Sequence, residues 1–442
     1  MRKLPVLPTL FSALVLSLGL MGCEPGVNTD TAAASGLPAG GSKADDPSSS
    51  SLLPAGFPEE QDLAILIPMD AEPALQAGYP TQDGDVLLSE TWLQQVSDAY
   101  LDTDVADALE VENWYGDWRV VSVRIAPCGP LGHFPGHLPG GFCWPQVRIV
   151  WQPVLENHAL YGFIHVDRYA DDRAIHALYR VQPYWDATQL SSALETVLEH
   201  INSGLPMEDL DAAILQDLED ERNLAMNRLI SDVADLRVLA ADDASWSGVD
   251  VRNEYYQGDE IASEFHERLY DFLWSYAQPW ALHELTSFSL PEGQSPASID
   301  SWVFIAFDGY EGEITQKDLT VRSRTTGEIL VNIGSHQTVS TAGEDQAVLD
   351  ALTDPAVAEE LAQQVLVGDS NIDVLGAMIA DPTQTFVSNT TCASCHRLQD
   401  PLFDFHTFSY FEDRSATISP RVVEDVDNDL RVLRGFLEGT AP

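Results

Sequence analysis

The sequence feature that most constrains the fold is the pentapeptide Cys392-Ala393-Ser394-Cys395-His396 near the C-terminus. The spacing C-x-x-C-H is the attachment pattern for c-type haem. The two thiols add to the two vinyl groups of haem as thioethers, and the adjacent histidine is then held under the iron as its proximal ligand. A segment joined to haem at three neighbouring positions has to fold around the macrocycle. The motif therefore predicts one haem c bound through Cys392, Cys395 and His396.

Two other interpretations of the motif are weaker. A structural zinc site needs four ligands, usually as two spaced pairs, and the sequence offers no second pair. A thioredoxin-like dithiol follows a strand and precedes a helix, but only Thr385-Phe386-Val387 is a strand candidate before Cys392. Covalent haem is the favoured interpretation, with the dithiol and zinc as alternatives.

The N-terminus indicates the compartment in which this motif would work. Arg2 and Lys3 precede a mostly apolar run that is too short to span a bilayer, as in a secretory signal. Leu20-Met21-Gly22-Cys23 resembles the lipobox of bacterial lipoproteins. That resemblance implies a signal peptide over residues 1–22 and a lipid anchor on Cys23. Because Glu24 follows, rather than the aspartate of retained family members, it also implies an outer-membrane lipoprotein on the periplasmic or cell-surface side. The alternative is an ordinary secreted protein with a stray cysteine.

The charge balance limits the partners of the chain. Lys and Arg total 22 and Asp and Glu total 70, so the formal net charge is −48, and −50 without residues 1–22. Such an acidic surface repels nucleic acid, so no nucleic-acid partner is expected. It favours a redox partner protein with a cationic docking patch. The 45% hydrophobic residues and ten tryptophans are nevertheless enough for a packed core.

The cysteine count leaves one pair beyond the motif and the anchor. Of the five cysteines, Cys128 and Cys143 flank a loop rich in glycine and proline. In an oxidising compartment an even pair of this kind predicts a disulfide, which would close the base of the loop.

Composition and periodicity divide the rest of the chain. Residues 23–61 are rich in Gly, Pro, Ser, Ala and Asp and are predicted to be a flexible tether. Residues 62–340 are predicted to be an α+β body of unknown role, with helices over 188–240 and 261–285. Its strands are predicted over 118–126, 146–151 and 302–307, with a hairpin around Thr325-Thr326-Gly327. We interpret the body's histidines as packing or surface residues because they share no spacing: His158, His165, His176, His200, His266 and His283.

Residues 341–442 resemble the cytochrome c family. A helix predicted over 372–380, the C-x-x-C-H motif, a loop and a helix predicted over 420–437 follow the order of the smallest members. The last helix has an apolar stripe from Val422 to Leu437 and a Ser419-Pro420 start. The resemblance implies a small all-α domain with a single haem and one-electron transfer as its function.

The distal haem ligand is the open point of this resemblance. The family's usual ligand is a methionine after the motif, but the last methionine, Met378, precedes Cys392. His406 is the only histidine after the motif and is the leading candidate, with Met378 weaker. An open position or a ligand more distant in sequence is the third choice. Two strong ligands indicate an electron carrier, whereas an open position permits a peroxidase-like enzyme. A ligand-binding lipoprotein with an accessory haem domain is a further alternative.

Overall fold

The computed structural model describes the parts of the chain within the compact unit Pro54–Pro442 that carry regular structure and their connections. These residues are 58–68, 71, 74–101, 115–130, 143–160, 164–170, 173–184, 189–203, 209–239, 248–289, 303–317, 320–322, 329–331, 380–381 and 418–439.

The centre of the body is an antiparallel sheet of eight strands. Along the sheet the order is β1-β2-β3-β5-β6-β7-β8, and the long strand β3 also pairs with β4 through its second half, Val154 to Leu160. Two further short strands, β9 (Thr320–Arg322) and β10 (Ile329–Val331), pair as the predicted hairpin. The strands of the sheet are β1 (Ala64–Leu66), β2 (Trp118–Pro130), β3 (Cys143–Leu160), β4 (Ile164–Ala170), β5 (Ala174–Arg180), β6 (Leu282–Ser289), β7 (Val303–Tyr310) and β8 (Glu313–Lys317).

Among the described residues, three α-helices lie between the neighbouring strands β5 and β6 in sequence. They are α3 (Ser192–Asn202), α4 (Ala212–Asp235) and α5 (Asp259–Tyr276), and they follow α1 (Glu60–Leu63) and α2 (Glu90–Leu101). The helix predicted over 261–285 was wrong at its end, because α5 stops at Tyr276 and Leu282 begins β6. The break has a local cause: Pro279 holds the preceding residue, Gln278, in an extended conformation with ψ 131°.

One face of the sheet carries the apolar core. Val123, Ile149, Ala177, Leu285 and Phe307 are register neighbours across five strands, and all are buried. Since successive side chains of a strand point to opposite faces, this row shares the face that packs against the helices. The next residue of each strand therefore points to the other face.

That other face is lined by ionisable side chains. The neighbouring row runs Arg124, Arg148, Leu178, Glu284 and Asp308 across the same five strands. We call this surface the charged face. It includes Arg124, Arg148, Arg180, His283, Glu284, Asp308 and Lys317.

The C-terminal helix α6 (Pro420–Leu437) has the bounds that its apolar stripe predicts. Val426, Leu430 and Leu433 of this stripe are buried in the main core cluster. Helix α6 contacts β2 and α1 of the body. The helix that the sequence assigns to the haem segment thus packs against the α+β body, where its apolar stripe joins the core.

At Gly309, strand β7 comes very close to the backbone of strand β6. A Cβ at this position would lie 2.7 Å from the carbonyl oxygen of Leu282. Replacing Gly309 with alanine should therefore destabilise the protein by about 1–3 kcal/mol, since the backbone has to shift. Denaturant unfolding measures the loss. Gly116→Ala is the matched control, because nothing lies within 4 Å of its Cβ position; equal stability of the two variants would contradict this close approach.

Candidate functional site

All of the residues that the motif and the lipobox single out lie outside the described residues, so their roles stay predictions. Of the predicted disulfide, Cys128 lies on β2 and is disulfide-bonded. Cys143 begins β3 and is paired in register with Pro130, two residues beyond Cys128. The register therefore brings the two cysteines near each other, while their bond to one another stays a prediction. The predicted site residues that lie outside the described ranges are Cys23, Met378, Cys392, Cys395, His396 and His406.

The segment that carries the haem motif rejoins the described structure at Ile418. Ile418 packs against Leu66 and Val251. Leu66 pairs with Ser122, two residues before Arg124 on β2, so its side chain shares the charged face. The chain thus leaves the motif segment and arrives at the edge of the charged face.

Helix α6 is joined to this face by a buried ion pair. Arg124 Nη2 lies 2.5 Å from Asp429 Oδ2, and Arg124 Nη1 donates to the carbonyl oxygen of Leu63 at 3.0 Å. Burial raises the pKa of Asp429 to about 6; Arg124 opposes this shift and Asp425 adds to it. The carboxylate of Asp429 is therefore costly to bury even beside its arginine, as expected for a buried pair.

The pH dependence of this pair is testable with Asp429→Asn. The pKa of Asp429 is about 6 in the folded protein and about 4 in the unfolded chain, so the folded protein binds this proton more tightly. The protonated acid therefore stabilises the fold below about pH 4, and this stabilisation is lost as the pH rises to about 6. Relative to Asp429→Asn, the free energy of unfolding of the natural protein should fall by about 2–3 kcal/mol over that range and then stay constant. Urea unfolding at several pH values measures it. The exposed Asp427→Asn variant is the control; parallel curves for Asp429→Asn and the natural protein would contradict the assignment.

The centre of the charged face lies on β6, β7 and β8. Lys317 Nζ contacts Asp308 Oδ1 at 2.7 Å and Glu284 Oε1 at 3.6 Å. Burial raises the pKa of Glu284 to about 7, against the opposing effect of Arg148. Burial also lowers the pKa of Lys317 to about 7. Both groups therefore exchange protons near neutral pH.

His283 lies in an irregularity of β6. Leu178 and Tyr179 are consecutive on β5, but they pair with Glu284 and Leu282, which leaves His283 as an extra residue. His283 is 6% exposed. Burial holds its pKa well below the usual range, and the neighbouring Arg180 and Arg148 lower it further. The imidazole is therefore neutral.

Three nitrogens at this position lack hydrogen-bond partners. Over the described part of the chain, none is found for His283 Nε2, Arg148 Nε or Arg180 Nε, although all three atoms are buried. An unsatisfied buried polar atom costs about 1–3 kcal/mol. Other buried atoms of the described residues share this property, among them Gln61 Oε1 and Trp151 Nε1. An imidazole lone pair suits a metal, and guanidinium groups suit carboxylates. Acidic side chains already face both arginines: Glu284 and Asp425 act on Arg148, and Glu284 and Asp308 act on Arg180.

Sequence reasoning missed the charged face, although a signal existed. Strand β3 reads Gln146-Val147-Arg148-Ile149, so a charged residue alternates with apolar ones inside a strand. His283 carried no such signal, because it lay in a stretch assigned to a helix. Only the pairing of β5 with β6 brings Arg180 and His283 together.

The described residues show neither a ready-made metal cluster nor a membrane span. Within these ranges, His, Cys, Asp and Glu side chains do not gather in threes around a common point. Across the same ranges, no helix is long and apolar enough to cross a bilayer. No protein-family model, curated protein or solved structure matches the chain.

Proposed function

We propose that the protein is a membrane-anchored, extracytoplasmic c-type cytochrome that transfers single electrons through one covalently bound haem. The observation that carries this proposal is the C-x-x-C-H motif behind a signal sequence with a lipobox-like end. Cys392 and Cys395 form the thioethers and His396 is the proximal iron ligand. Cys23 carries the lipid that holds the protein at the outer membrane.

The disulfide at Cys128 supports the compartment that this function requires. Disulfides persist in the periplasm and at cell surfaces and are rare in the cytosol. The attachment of haem c also takes place outside the bacterial cytoplasm. The cysteine usage of the body and the motif of the C-terminal segment therefore favour the same location.

When bound, the haem would supply a one-electron iron couple. The residues around the haem would set the reduction potential of that couple. His396 would be one ligand of the iron, and His406 and Met378 are the candidates that the sequence offers for a second ligand. The net charge of −50 without the signal peptide attracts a redox partner with a cationic patch, and salt weakens this attraction. Electron exchange with a basic partner should accordingly slow as ionic strength rises.

The test is a visible spectrum of the lipidated full-length protein, oxidised and reduced, with a pyridine haemochrome assay after denaturation. Expression requires a host with a working haem c maturation system. We expect covalent haem in a single copy per chain and a reversible one-electron change. Absence of covalent haem would overturn the proposal. Rapid turnover of peroxide with an electron donor would instead assign a peroxidase-like enzyme.

A further inference from the structure

We propose that the edge strand β8 is a docking surface for a second copy of this chain, which pairs with it through its own β8. The two strands would run antiparallel about a twofold axis at Thr315, and the two sheets would join into one continuous sheet. This inference goes beyond the proposed function and does not depend on it, because every residue it uses belongs to the body.

Strand β8 is the open end of the sheet. At the opposite end β1 is covered, because Val251 bridges to Leu66 and the backbone N–H of Arg252 donates to the carbonyl oxygen of Leu66 at 3.2 Å. Strand β8 pairs with β7 on one side, and over the described part of the chain no strand pairs with its other side. Such an edge presents a row of unpaired backbone groups, which is a template for pairing with another chain.

The turn between β7 and β8 fixes which residues of β8 hydrogen-bond to β7. Glu311 and Gly312 form a two-residue turn and both have positive φ, 50° and 85°, as in the type I′ turn of hairpins. The first and last residues of such a turn are joined by a backbone hydrogen bond. Tyr310 therefore accepts from the N–H of Glu313, and the backbone of Glu313 faces β7.

From Glu313 onward, the backbone of β8 alternates in direction. The groups of Thr315 and Lys317 also face β7, while the N–H and C=O groups of Ile314 and Gln316 point away from it. In an antiparallel pair centred on Thr315, Ile314 of one copy lies opposite Gln316 of the other. Residues that are opposite in this way exchange both of their hydrogen bonds, so the outward backbone groups of Ile314 and Gln316 are all satisfied.

The side chains of β8 suit the same register. Glu313, Thr315 and Lys317 alternate onto the charged face, and Glu313 and Thr315 are exposed. In the pair, Glu313 of one copy lies opposite Lys317 of the other, and the two Thr315 side chains meet. Opposite charges and paired threonines both stabilise strand pairing. Lys317 keeps its contacts with Asp308 and Glu284 in its own chain, and Glu313 of the second copy adds a further carboxylate.

The net charge of the chain makes this pairing dependent on salt. Each copy carries a formal charge of −48, so two copies repel each other before their strands meet. Salt shortens the range of this repulsion from about 10 Å at 0.1 M to about 3 Å at 1 M. Pairing should therefore increase with ionic strength, whereas electron exchange with a basic partner should slow.

The experiment is disulfide cross-linking of the full-length protein under mild oxidation. Thr315→Cys places the new cysteine opposite its own copy, with Cα atoms about 4.5 Å apart, which a disulfide can bridge. Glu313→Cys is the matched control, because the two copies of residue 313 would lie four positions, or about 14 Å, apart along the strands. We expect a covalent dimer from Thr315→Cys that increases with salt, and only background from Glu313→Cys and the natural protein.

Gln316→Pro tests the hydrogen bonds of the edge without an added thiol. Proline removes an N–H that points away from β7, so the pairing of β8 with β7 and the stability of the fold should be kept. The dissociation constant of the dimer, measured by sedimentation at about 1 M salt, should rise about tenfold or more. Gln316→Ala keeps the N–H and should associate as the natural protein does.

Other results would overturn the inference. Equal cross-linking of Thr315→Cys and Glu313→Cys would exclude this register, and a monomeric natural protein at about 1 M salt would exclude the pairing itself. Equal association of Gln316→Pro and Gln316→Ala would place any dimer interface elsewhere. Cross-linking of Thr315→Cys to a different protein would give the edge another occupant. The cytochrome proposal stands in each case, because none of these measurements involves the haem.

Discussion

The double variant Cys392→Ser/Cys395→Ser should lose all covalently bound haem. Thioether formation consumes a thiol at each position, and a serine hydroxyl does not add to a haem vinyl group. The pyridine haemochrome signal that survives denaturation should therefore fall from a single haem per chain to background. Haem content is measured against protein concentration in parallel preparations from the same maturation-competent host.

The matched control for this loss is Cys128→Ser/Cys143→Ser. It removes the same number of cysteines from the body, including the disulfide at Cys128, but it leaves the motif intact. Its haem content should equal that of the natural protein. Covalent haem in the Cys392→Ser/Cys395→Ser variant, or equal losses in both variants, would contradict attachment at the motif.

Replacing Arg252 with methionine should cause a large loss of stability in the body. Arg252 is fully buried and joins two acids, with Nη1 2.6 Å from Asp62 Oδ1 and Nε 2.9 Å from Glu254 Oε2. It also donates to the carbonyl oxygen of Gln61 at 2.9 Å. Arg237 contacts Asp62 as well. This network ties α1 to the end of α4 and to the 3₁₀ turn Asn253–Tyr256.

The expected loss in the free energy of unfolding is about 3–5 kcal/mol, because the methionine leaves two buried carboxylates with too little positive charge. Denaturant unfolding measures it. Arg222→Met is the control, since Arg222 pairs with the largely exposed Glu219 at 3.8 Å on one helix; such pairs contribute about 0–1 kcal/mol. A loss for Arg252→Met no larger than that of the control would show that the network does not stabilise the fold.

Local patterns were sufficient for several elements. The Ser419-Pro420 start and the stripe through Val426, Leu430 and Leu433 predicted α6 with its observed bounds. Thr325-Thr326-Gly327 predicted the β9–β10 hairpin, and the β-branched run from Trp118 predicted β2. These signals are strong because capping, turn geometry and side-chain alternation act within a few residues.

Other elements could not be read from local patterns. The spacing of Leu282 and Leu285 suits a helix as well as an irregular strand, so β6 was assigned to a helix. The stripe of α6 shows that the helix has an apolar side, but not which surface covers it. Contacts between distant parts of the chain decided both the strand β6 and the surface that covers α6. Such contacts leave no pattern in the local sequence.

The sequence by itself predicted the chemistry of this protein, from a C-x-x-C-H motif, a lipobox-like N-terminus and a strongly acidic composition. Each is a matter of residue type and short spacing. Only the tertiary structure decided that α6 packs on the body and that His283, Arg148 and Arg180 lie together on one face of the sheet. Arg148 and Arg180 lie 32 positions apart, and His283 lies 103 positions beyond Arg180. The register of the antiparallel sheet brings their three strands together.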